Sequence, residues 1–278
     1  MKNFVILIPS YNDWDCLNVL IPKIDNILKN KDKSFSIIII NDASTIKNNL
    51  TFKSKLCFKK IEILNLIKNV KAQKAITTAL YYLKKKNYNG GIVLMDADGQ
   101  DDPEVLPEII EHADKNSEKV LTVNRTKRNE GLLFKIFYES HLIITYLFTL
   151  KNLRFGVYSY MHPIHLNKIL SNKDLCSAFA GAIAKNFKNR KTIFAERKKR
   201  FLGDYYSSKL KNIKNIQLPL KETNYAKNIY WVYGIVLKKK NLLAKKYIKI
   251  FEKEGIECRP FFCPMHLQPV FKKMNLYL

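Results

Sequence analysis

The chain has 278 residues, of which 47% are hydrophobic and 12% aromatic. That composition provides enough apolar side chains for a folded core and excludes a disordered chain. A formal net charge of +25 favours phosphate-rich partners in general, but no zinc-finger spacing, RNA-binding aromatic signature or basic zipper accompanies it, so we expect no nucleic-acid partner.

The predicted elements alternate between strand and helix through the first half of the chain. Short apolar runs predict strands at 4–8, 35–40, 61–64, 92–95 and 120–123. Helical patterns cover 14–29 and 72–85, and a further helix begins at Pro103. This alternation predicts an α/β fold with a mostly parallel sheet that helices cover on both faces.

An acidic island lies between Asp96 and Asp114, where eight carboxylates occur without any Lys or Arg. Asp96 and Asp98 follow a buried strand and share one side of an extended chain, where Gln100 can add an amide oxygen. Mg²⁺ and Mn²⁺ prefer such oxygen ligands and share them with substrate phosphates. The pattern predicts a site for a metal ion and a diphosphate.

Two carboxylates, one inside the acidic island and one after the second strand, could have a purely structural role instead of binding a ligand. Asp102 can cap a helix that has Pro103 in its first turn, which would make the acidic island a helix start alone. Asp42 follows the second strand, where it can accept hydrogen bonds from a nucleobase or ribose, or can cap a helix with Ser44 and Thr45 nearby.

The residues that follow three of the strands are expected to share one rim of the sheet. They are 9–13 after the first strand, 41–44 after the second and 96–100 after the run at 92–95. Ligands of open α/β sheets bind beyond the carboxyl ends of the strands. We therefore expect these three segments to converge on one binding site.

Four segments in this order resemble family 2 glycosyltransferases of the GT-A fold, a Rossmann-like fold; the family includes the dolichyl-phosphate mannose synthases. The segments are Ile8–Asp13, Asn41–Ser44, Asn69 with Ala72–Ile76, and Met95–Glu104. The resemblance continues through Arg125–Gly131, Phe155–Ser159 and Arg197–Gly203, and so covers about residues 3–210.

The resemblance implies a role for individual residues. The residues that would line the donor pocket are Pro9, Tyr11, Asp13, Asp42, Lys74 and Asp96. Asp96, Asp98 and Gln100 would hold the metal ion, and Asp98 would be the catalytic residue. The residues that would border the acceptor are Arg125, Arg128, Arg197 and Arg200.

Some positions depart from the family pattern. The family branch that this chain most resembles usually has Gly-His-Gln-Arg where Lys71-Ala72-Gln73-Lys74 stands, and Asn where Val157 stands. Inverting transfer needs a carboxylate that takes the acceptor proton, and no acidic residue matches the family's base. Asp174 and Glu130 are the candidates for that base.

The last sixty residues have a different character. Residues 229–237 are strand-like, 241–253 have helical periodicity with Gly255 as a stop, and 257–262 are again extended. The segments Trp231–Ile235 and Gly255–Pro269 resemble the end of pyridoxal-phosphate sugar aminotransferases of the DegT/DnrJ/EryC1 type, and only that end is present.

We therefore predict a glycosyltransferase domain at 1–210, a linker at 211–217 and a partial aminotransferase-like segment at 218–278. Five widely spaced cysteines without a Cys-x-x-Cys pair indicate reduced thiols and a cytoplasmic location. Charged residues within the apolar stretch 132–150 argue against a spanning helix. The amphipathic segment 134–148 fits either a core helix or peripheral contact with the inner face of a membrane.

The expected function is metal-dependent transfer of a sugar from a UDP-, GDP- or dTDP-type donor, with Mg²⁺ or Mn²⁺ as the cofactor. The expected acceptor is lipid-linked or a cell-envelope polysaccharide. The alternative is a non-catalytic binding protein, in which a degenerate transferase domain docks onto a sugar aminotransferase through the aminotransferase-like tail.

Overall fold

The computed structural model describes residues 1–52, 56–116, 118–125, 155–196, 198, 201–224, 227–228, 230, 232–238, 244–254, 256 and 258–260. The chain divides into two compact units, Met1–Asp204 with Glu222–Tyr230, and Tyr205–Lys221 with Trp231–Leu278. The predicted amphipathic segment 134–148 and the helix stop at Gly255 lie outside the described residues.

The first unit is built on a seven-stranded sheet. Its strands are β1 (Asn3–Ser10), β2 (Ser34–Asn41), β3 (Lys60–Asn65), β4 (Gly91–Leu94), β5 (Leu121–Arg125), β6 (Phe155–Met161) and β7 (Lys191–Ala195). The strand order is β3-β2-β1-β4-β6-β5-β7, and every neighbouring pair is parallel except the two pairs that β6 makes. The predicted α/β class with a mostly parallel sheet is confirmed.

Helices follow most of the strands. They are α1 (Trp14–Leu28), α2 (Ala72–Lys85), α3 (Leu106–Lys115), α4 (Leu166–Leu170), α5 (Phe179–Asn186), α6 (Phe201–Leu210) and α7 (Ala244–Lys253). The helix expected from Pro103 begins as a 3-10 turn, Pro103–Val105, and continues as α3. Proline suits this first turn because it has no N–H that would need a partner there.

Apolar side chains cover both faces of the sheet, so the core has two layers. Along β1, Phe4, Ile6 and Ile8 pack on the side of α1 and α3. Val5 and Leu7 point to the other side, where they pack with α2, α4 and α5. The strands therefore carry continuous apolar runs, as is typical of a parallel sheet that is buried on both faces.

The second unit contains less regular structure. A two-stranded ribbon pairs β8 (Ile216–Gln217) with β9 (Val236–Leu237) in antiparallel register, and α7 follows. Because β8 falls within the predicted linker 211–217, that linker contains a short strand; the domain boundaries themselves stay a prediction. The described part of the segment expected to be extended at 257–262, residues 258–260, forms no strand.

The strand expected at 229–237 is wrong over most of its described residues, because only Val236 and Leu237 are extended and paired. Tyr230 has a φ of 52°, in the left-handed region, which breaks an extended run. Its side chain is buried, and a Cβ atom at Gly203 would overlap the Tyr230 ring. The buried position of Tyr230 therefore takes precedence over its strand propensity.

No helix in the described part of the chain combines the length and the apolar character needed to cross a bilayer.

Candidate functional site

The loops that follow β1, β2 and β4 lie side by side at the carboxyl rim of the sheet. The Asp42 N–H donates to the Ser10 carbonyl at 2.9 Å, which joins the ends of β1 and β2. The Met95 N–H donates to the Leu7 carbonyl at 3.1 Å, which joins the end of β4 to β1. The three segments expected to converge therefore do so.

Asn12 fastens the first two of these loops to each other. Its backbone N–H donates to Ser44 Oγ at 2.9 Å, and its Oδ1 accepts from the N–H groups of Thr45 (2.9 Å) and Ile46 (3.0 Å). Its φ of 61° is left-handed, a conformation that Asn tolerates better than most residues. This role of Asn12 was not predicted, although an Asn between a strand and a helix was an available signal for it.

The other predicted residues of the first loop differ in exposure. Pro9 is buried within β1, opposite Ile40 of β2. The Tyr11 side chain is 41% exposed at the rim, and Asp13, directly before α1, is partly exposed. Tyr11 therefore presents an aromatic surface at the rim, whereas Pro9 shapes the strand end beneath it.

Asp42 is 3% exposed, and both of its carboxylate oxygens have partners. Oδ1 accepts from the Val70 N–H at 2.7 Å and Oδ2 accepts from the Lys71 N–H at 2.8 Å. These bonds hold the loop that leads into α2. No helix starts in residues 42–52, so the alternative of a cap for a directly following helix is wrong.

The start of α2 carries an unusual backbone. Lys71 has φ 71° and ψ 155°, a region that glycine adopts readily and other residues adopt at a cost of about 1–3 kcal/mol. This is the position where the resembled family branch usually has Gly. Lys74 is exposed in the first turn of α2, and Gln73 Oε1 accepts from the Phe179 N–H at 2.8 Å.

The Asp-x-Asp loop after β4 has the alternation that its sequence predicts. Asp96 and Asp98 are half-buried at the rim, whereas Ala97 between them is buried in the core. The loop is braced internally, because Asp98 Oδ1 accepts from the Gln100 N–H at 3.0 Å and Asp101 Oδ2 accepts from the Asp96 N–H at 2.9 Å. The bracing role of Asp101 was not predicted.

Two described residues of the basic segment 196–201 contact this loop. The Lys198 N–H donates to the Gln100 carbonyl at 3.0 Å and the Phe201 N–H donates to the Asp98 carbonyl at 3.3 Å. Gly99, with φ 79°, lies directly under the Phe201 ring, so a Cβ atom there would overlap the ring. Glycine at position 99 is required both by its backbone angle and by this close approach.

Asp102 has two structural roles. Its Oδ1 accepts from the Glu104 N–H at 3.2 Å, which confirms the predicted cap. Its Oδ2 lies 2.9 Å from Lys198 Nζ, and this hydrogen bond raises the pKa of Lys198. The ion pair was not predicted, and it joins the basic segment to the acidic island.

A small cavity lies next to the loop. Its lining includes Gln100, Asp101, Asn124, Tyr158 and Glu196. The Tyr158 hydroxyl donates to the Asp102 carbonyl at 3.1 Å. Burial, and then the charges of Asp101 and Asp102, raise the pKa of Tyr158 well above its usual value, so this residue stays a hydrogen-bond donor. Gln100, predicted as a metal ligand, is 3% exposed at the edge of this cavity.

The donor set at this corner fits a metal ion that is shared with substrate. Among the described residues, no group of three or more His, Cys, Asp or Glu side chains could hold a metal ion by itself. Mg²⁺, however, is usually bound through one or two carboxylates together with substrate phosphates. Asp96 and Asp98 supply those two carboxylates at the rim.

Several predicted residues cannot be placed in the site. Arg128, Glu130, Arg197 and Arg200 lie outside the described residues, and for Arg125 only the backbone, at the end of β5, is described. Two further residues are described. Asp174 is exposed in the turn between α4 and α5, 3.2 Å from Lys185 Nζ, and Val157 is buried in the core beside α5.

Two family models match the chain, and their ranges meet at residues 178–179. The model for glycosyl transferase family 2 matches residues 5–179, more than half of the chain. The model for the DegT/DnrJ/EryC1/StrS aminotransferase family matches residues 178–278. Both resemblances stated from the sequence are therefore confirmed.

Curated relatives match about half of the chain. A glycosyltransferase of Bacillus subtilis, YkcC, is 27% identical over 133 residues, which are 48% of this chain and 40% of the relative. An undecaprenyl-phosphate 4-deoxy-4-formamido-L-arabinose transferase of Pectobacterium atrosepticum is 28% identical over 138 residues, 49% of this chain and 41% of the relative. The matches thus span about two fifths of these relatives.

Solved structures to which the chain shows similarity include Staphylococcus aureus TarS in complex with UDP-GlcNAc. It has a TM-score of 0.46 and 17% identity, over 72% of this chain and 59% of that chain. Glucosyl-3-phosphoglycerate synthase of Mycobacterium tuberculosis, in complex with Mn²⁺ and UDP, has a TM-score of 0.43 and 9% identity, over 78% of this chain and 85% of that chain.

The family match and the architecture agree with each other. The matched range 5–179 includes β1 to β6 and the loops that carry the acidic rim. The sheet has the α/β architecture expected of that family. The chain belongs to glycosyl transferase family 2.

Proposed function

We propose that this chain is a metal-dependent glycosyltransferase that transfers a sugar from a nucleotide-diphosphate donor. One observation carries the proposal: two half-buried carboxylates, Asp96 and Asp98, lie at the sheet rim beside the loops after β1 and β2. Loops at the carboxyl ends of neighbouring strands form the usual ligand site of such sheets. Family membership supports the same reaction class.

The nucleotide would lie over the first two strand ends. Tyr11 offers an exposed ring for stacking, and Pro9 and Asp13 flank it. Asp42 holds the loop before α2 through two backbone hydrogen bonds, so its contribution would be to shape the pocket wall. Lys74, exposed at the start of α2, would attract the donor phosphates.

The diphosphate would lie at the acidic loop, with Asp96, Asp98 and Gln100 holding Mg²⁺ or Mn²⁺. When bound, such an ion supplies positive charge that stabilises the departing diphosphate. The bonds within the loop, from Asp101 to the Asp96 N–H and from Asp98 to the Gln100 N–H, would keep the two carboxylates oriented before substrate arrives.

The acceptor would approach from the side of Arg125, Arg128, Arg197 and Arg200. We propose a lipid-linked or cell-envelope polysaccharide acceptor; the Pectobacterium relative, named as an undecaprenyl-phosphate sugar transferase, supports a lipid-linked one. Arginine side chains suit a phosphate-bearing acceptor because their guanidinium groups donate paired hydrogen bonds to phosphate oxygens. Such an acceptor would place transfer on the cytoplasmic face of a membrane.

Thermal unfolding with added ligands tests the donor half of this proposal. The purified chain is heated with Mn²⁺ and UDP-, GDP- or dTDP-sugars, each alone and together. A ligand that binds only the folded state raises the melting temperature, so we expect one nucleotide class to stabilise the chain only with the metal ion. Failure of every combination to stabilise it would contradict the proposal.

Two variants make this experiment specific to the site. Asp98→Ala should abolish the metal-dependent rise in melting temperature, because it removes one of the two rim carboxylates. Glu108→Ala is the matched control, since it removes an exposed carboxylate of α3 and should leave the rise unchanged. Equal behaviour of the two variants would remove Asp98 from the site.

The acceptor proton requires a base, for which Asp174 and Glu130 are the candidates. Asp174 is exposed and paired with Lys185, so it can be reached by solvent. If Asp174 is the base, Asp174→Asn will lower transfer by about 10²–10⁴-fold without changing donor stabilisation. Transfer assays with a polyprenyl-phosphate acceptor measure this effect, and Lys185→Gln controls for loss of the ion pair.

A non-catalytic binding protein is the second candidate, and the backbone at Lys71 favours it. Strain at the position that holds the start of α2 could weaken donor binding. The aminotransferase-like segment would then serve to bind a sugar aminotransferase. Association with such an enzyme, combined with absence of any nucleotide-dependent stabilisation, would support this alternative.

A further inference from the structure

Helix α7 has two chemically distinct faces. At about 100° per residue, Ala244, Tyr247, Ile248, Ile250 and Phe251 fall within one arc of about 160°. The opposite arc holds Lys245, Lys246, Lys249 and Lys253 together with Glu252. Every residue of the helix falls into one arc or the other, so the separation of apolar from charged side chains is complete.

The described residues do not cover the apolar face of α7. All ten of its residues are described and none is buried. Ile250 is 47% exposed and Phe251 is 38% exposed. An amphipathic helix in a globular protein normally buries its apolar stripe against a core. The part of the chain that the structure describes therefore leaves this stripe open to a further surface.

The charged face of α7 indicates what kind of surface its apolar face would contact. Four Lys and one Glu give α7 a net charge of +3, within a chain of +25. An apolar stripe flanked by lysines matches a surface where hydrocarbon lies just below negative charge. A protein groove for this helix would need both a deep apolar floor and an acidic border, whereas an anionic bilayer has both.

We propose that α7 lies on the surface of an anionic lipid bilayer. Ile248 and Phe251 would insert at the boundary between headgroups and acyl chains, and Lys245 and Lys246, which border the apolar arc on its two sides, would contact the negative headgroups. The inference does not depend on the proposed transferase activity, because α7 belongs to the second unit and to the aminotransferase-like match. It also concerns a different element from the segment 134–148.

Vesicle co-sedimentation of the full chain tests this proposal. The two vesicle types are pure phosphatidylcholine and phosphatidylcholine with about one third phosphatidylglycerol. We expect binding to the anionic vesicles, at least tenfold weaker binding to the neutral ones, and loss of binding as salt concentration rises. Equal binding to both vesicle types would overturn the proposal.

Paired variants assign the effect to each face of α7. Lys245→Gln with Lys246→Gln should weaken binding to anionic vesicles by about 25-fold, since each lysine near the surface contributes about fivefold. Lys84→Gln with Lys85→Gln removes two exposed lysines from α2 and should change binding by less than about twofold. The same loss in both double variants would assign binding to overall charge and overturn the role of α7.

The apolar face has its own pair of variants. Ile248→Ser with Phe251→Ser should weaken binding at least tenfold, whereas Val19→Ser with Ile164→Ser, two exposed apolar residues of the first unit, should not. Circular dichroism and thermal unfolding check that each variant is folded. Light scattering tests whether the apolar face binds a second copy of the chain instead. If the chain is a dimer that does not bind vesicles, and the double variant in α7 dissociates this dimer, the proposal is overturned.

Discussion

The two units of the chain differ in what their secondary structure buries. In the first, strands and helices enclose apolar layers on both faces of a sheet. In the second, none of the described residues belongs to the buried core, and ten of the seventeen exposed large hydrophobic side chains of the described residues are found there. Regular structure alone therefore does not indicate a self-sufficient core.

The two units differ in the contacts that stabilise them. A sheet with continuous apolar runs contributes through burial of side chains from distant parts of the sequence. In the described part of the second unit, the ribbon of two-residue strands, the end of α6 and the exposed α7 bury little apolar surface, so burial there contributes little to stability. We expect substitutions in the two units to have very different costs.

The largest contrast should come from matched truncations of apolar side chains. Ile39 in β2 is fully buried, so Ile39→Ala should lower the free energy of unfolding by about 2–5 kcal/mol. Phe251→Ala in α7 should change it by less than about 0.5 kcal/mol, since that side chain is exposed. Urea unfolding measures both, and similar costs would show that α7 is packed after all.

The glycine under Phe201 gives the next largest effect. Gly99→Ala adds a Cβ atom that overlaps the ring and also forces a side chain into a φ of 79°, for a loss of about 2–3 kcal/mol. Gly181→Ala in α5 is the control, because its Cβ atom would lie 3.5 Å from Ala178 Cβ, and it should be neutral or stabilising. Thermal unfolding of the two variants compares them directly, and an equal loss would count against the close approach of Phe201.

At the start of α2, we expect two substitutions by glycine to change the free energy of unfolding in opposite directions. Lys71→Gly should stabilise the first unit by about 1 kcal/mol, because glycine relieves the positive φ. Lys74→Gly, three residues into the same exposed turn, should destabilise it by about 1 kcal/mol through helix propensity. Destabilisation by both variants in chemical denaturation would argue against strain at Lys71.

The smallest change in the free energy of unfolding is expected for an ion pair on the surface of the first unit. Lys33 first, and then the N-terminal amine, hold the pKa of Asp114 below its ordinary 3.8. A lowered folded pKa stabilises the protein above the unfolded value, and this contribution is lost as pH falls through the folded pKa. Asp114 is partly exposed, so Asp114→Asn should cost less than about 1 kcal/mol at pH 7.

The measurement for Asp114 is the urea midpoint of wild type and variant across an acid titration. The two proteins should converge as the pH falls below the lowered pKa of Asp114 in the folded protein, where its carboxylate is protonated in both the folded and the unfolded state. A difference that persists in acid would mean that packing, and not charge, is responsible.

The strands that could be predicted from the sequence were those with continuous apolar runs. β1 and β2 match their predicted runs to within two residues at each end, because both faces of these strands carry apolar side chains that other segments seldom have. β3 matches its run equally well, although Glu62 interrupts it. β6 and β7 were not predicted as strands. β6 includes Gly156 and Ser159, and β7 begins with the exposed Lys191, so neither sequence shows the regular pattern of apolar residues that predicts a strand.

In the site, residues adjacent to a strand end could be predicted, whereas long-range partners could not. Asp96 and Asp98 follow β4 in sequence, so their place at the rim followed from the order of elements. The bond from Asn12 to Ser44 and the ion pair from Lys198 to Asp102 join segments about 32 and 96 residues apart. Such contacts depend on how loops fold over the sheet, which local patterns do not encode.

The single antiparallel strand of the seven-stranded sheet has a consequence for synthesis of the protein. Among the seven described strands of that sheet only β6 is antiparallel to its neighbours, and it fills the space between β4 and β5. Until residues 155–161 leave the ribosome, the four buried residues of β4 present an unpaired edge. Such an edge can pair with other nascent chains. The polysome is therefore the stage at which this protein has the greatest need of a chaperone.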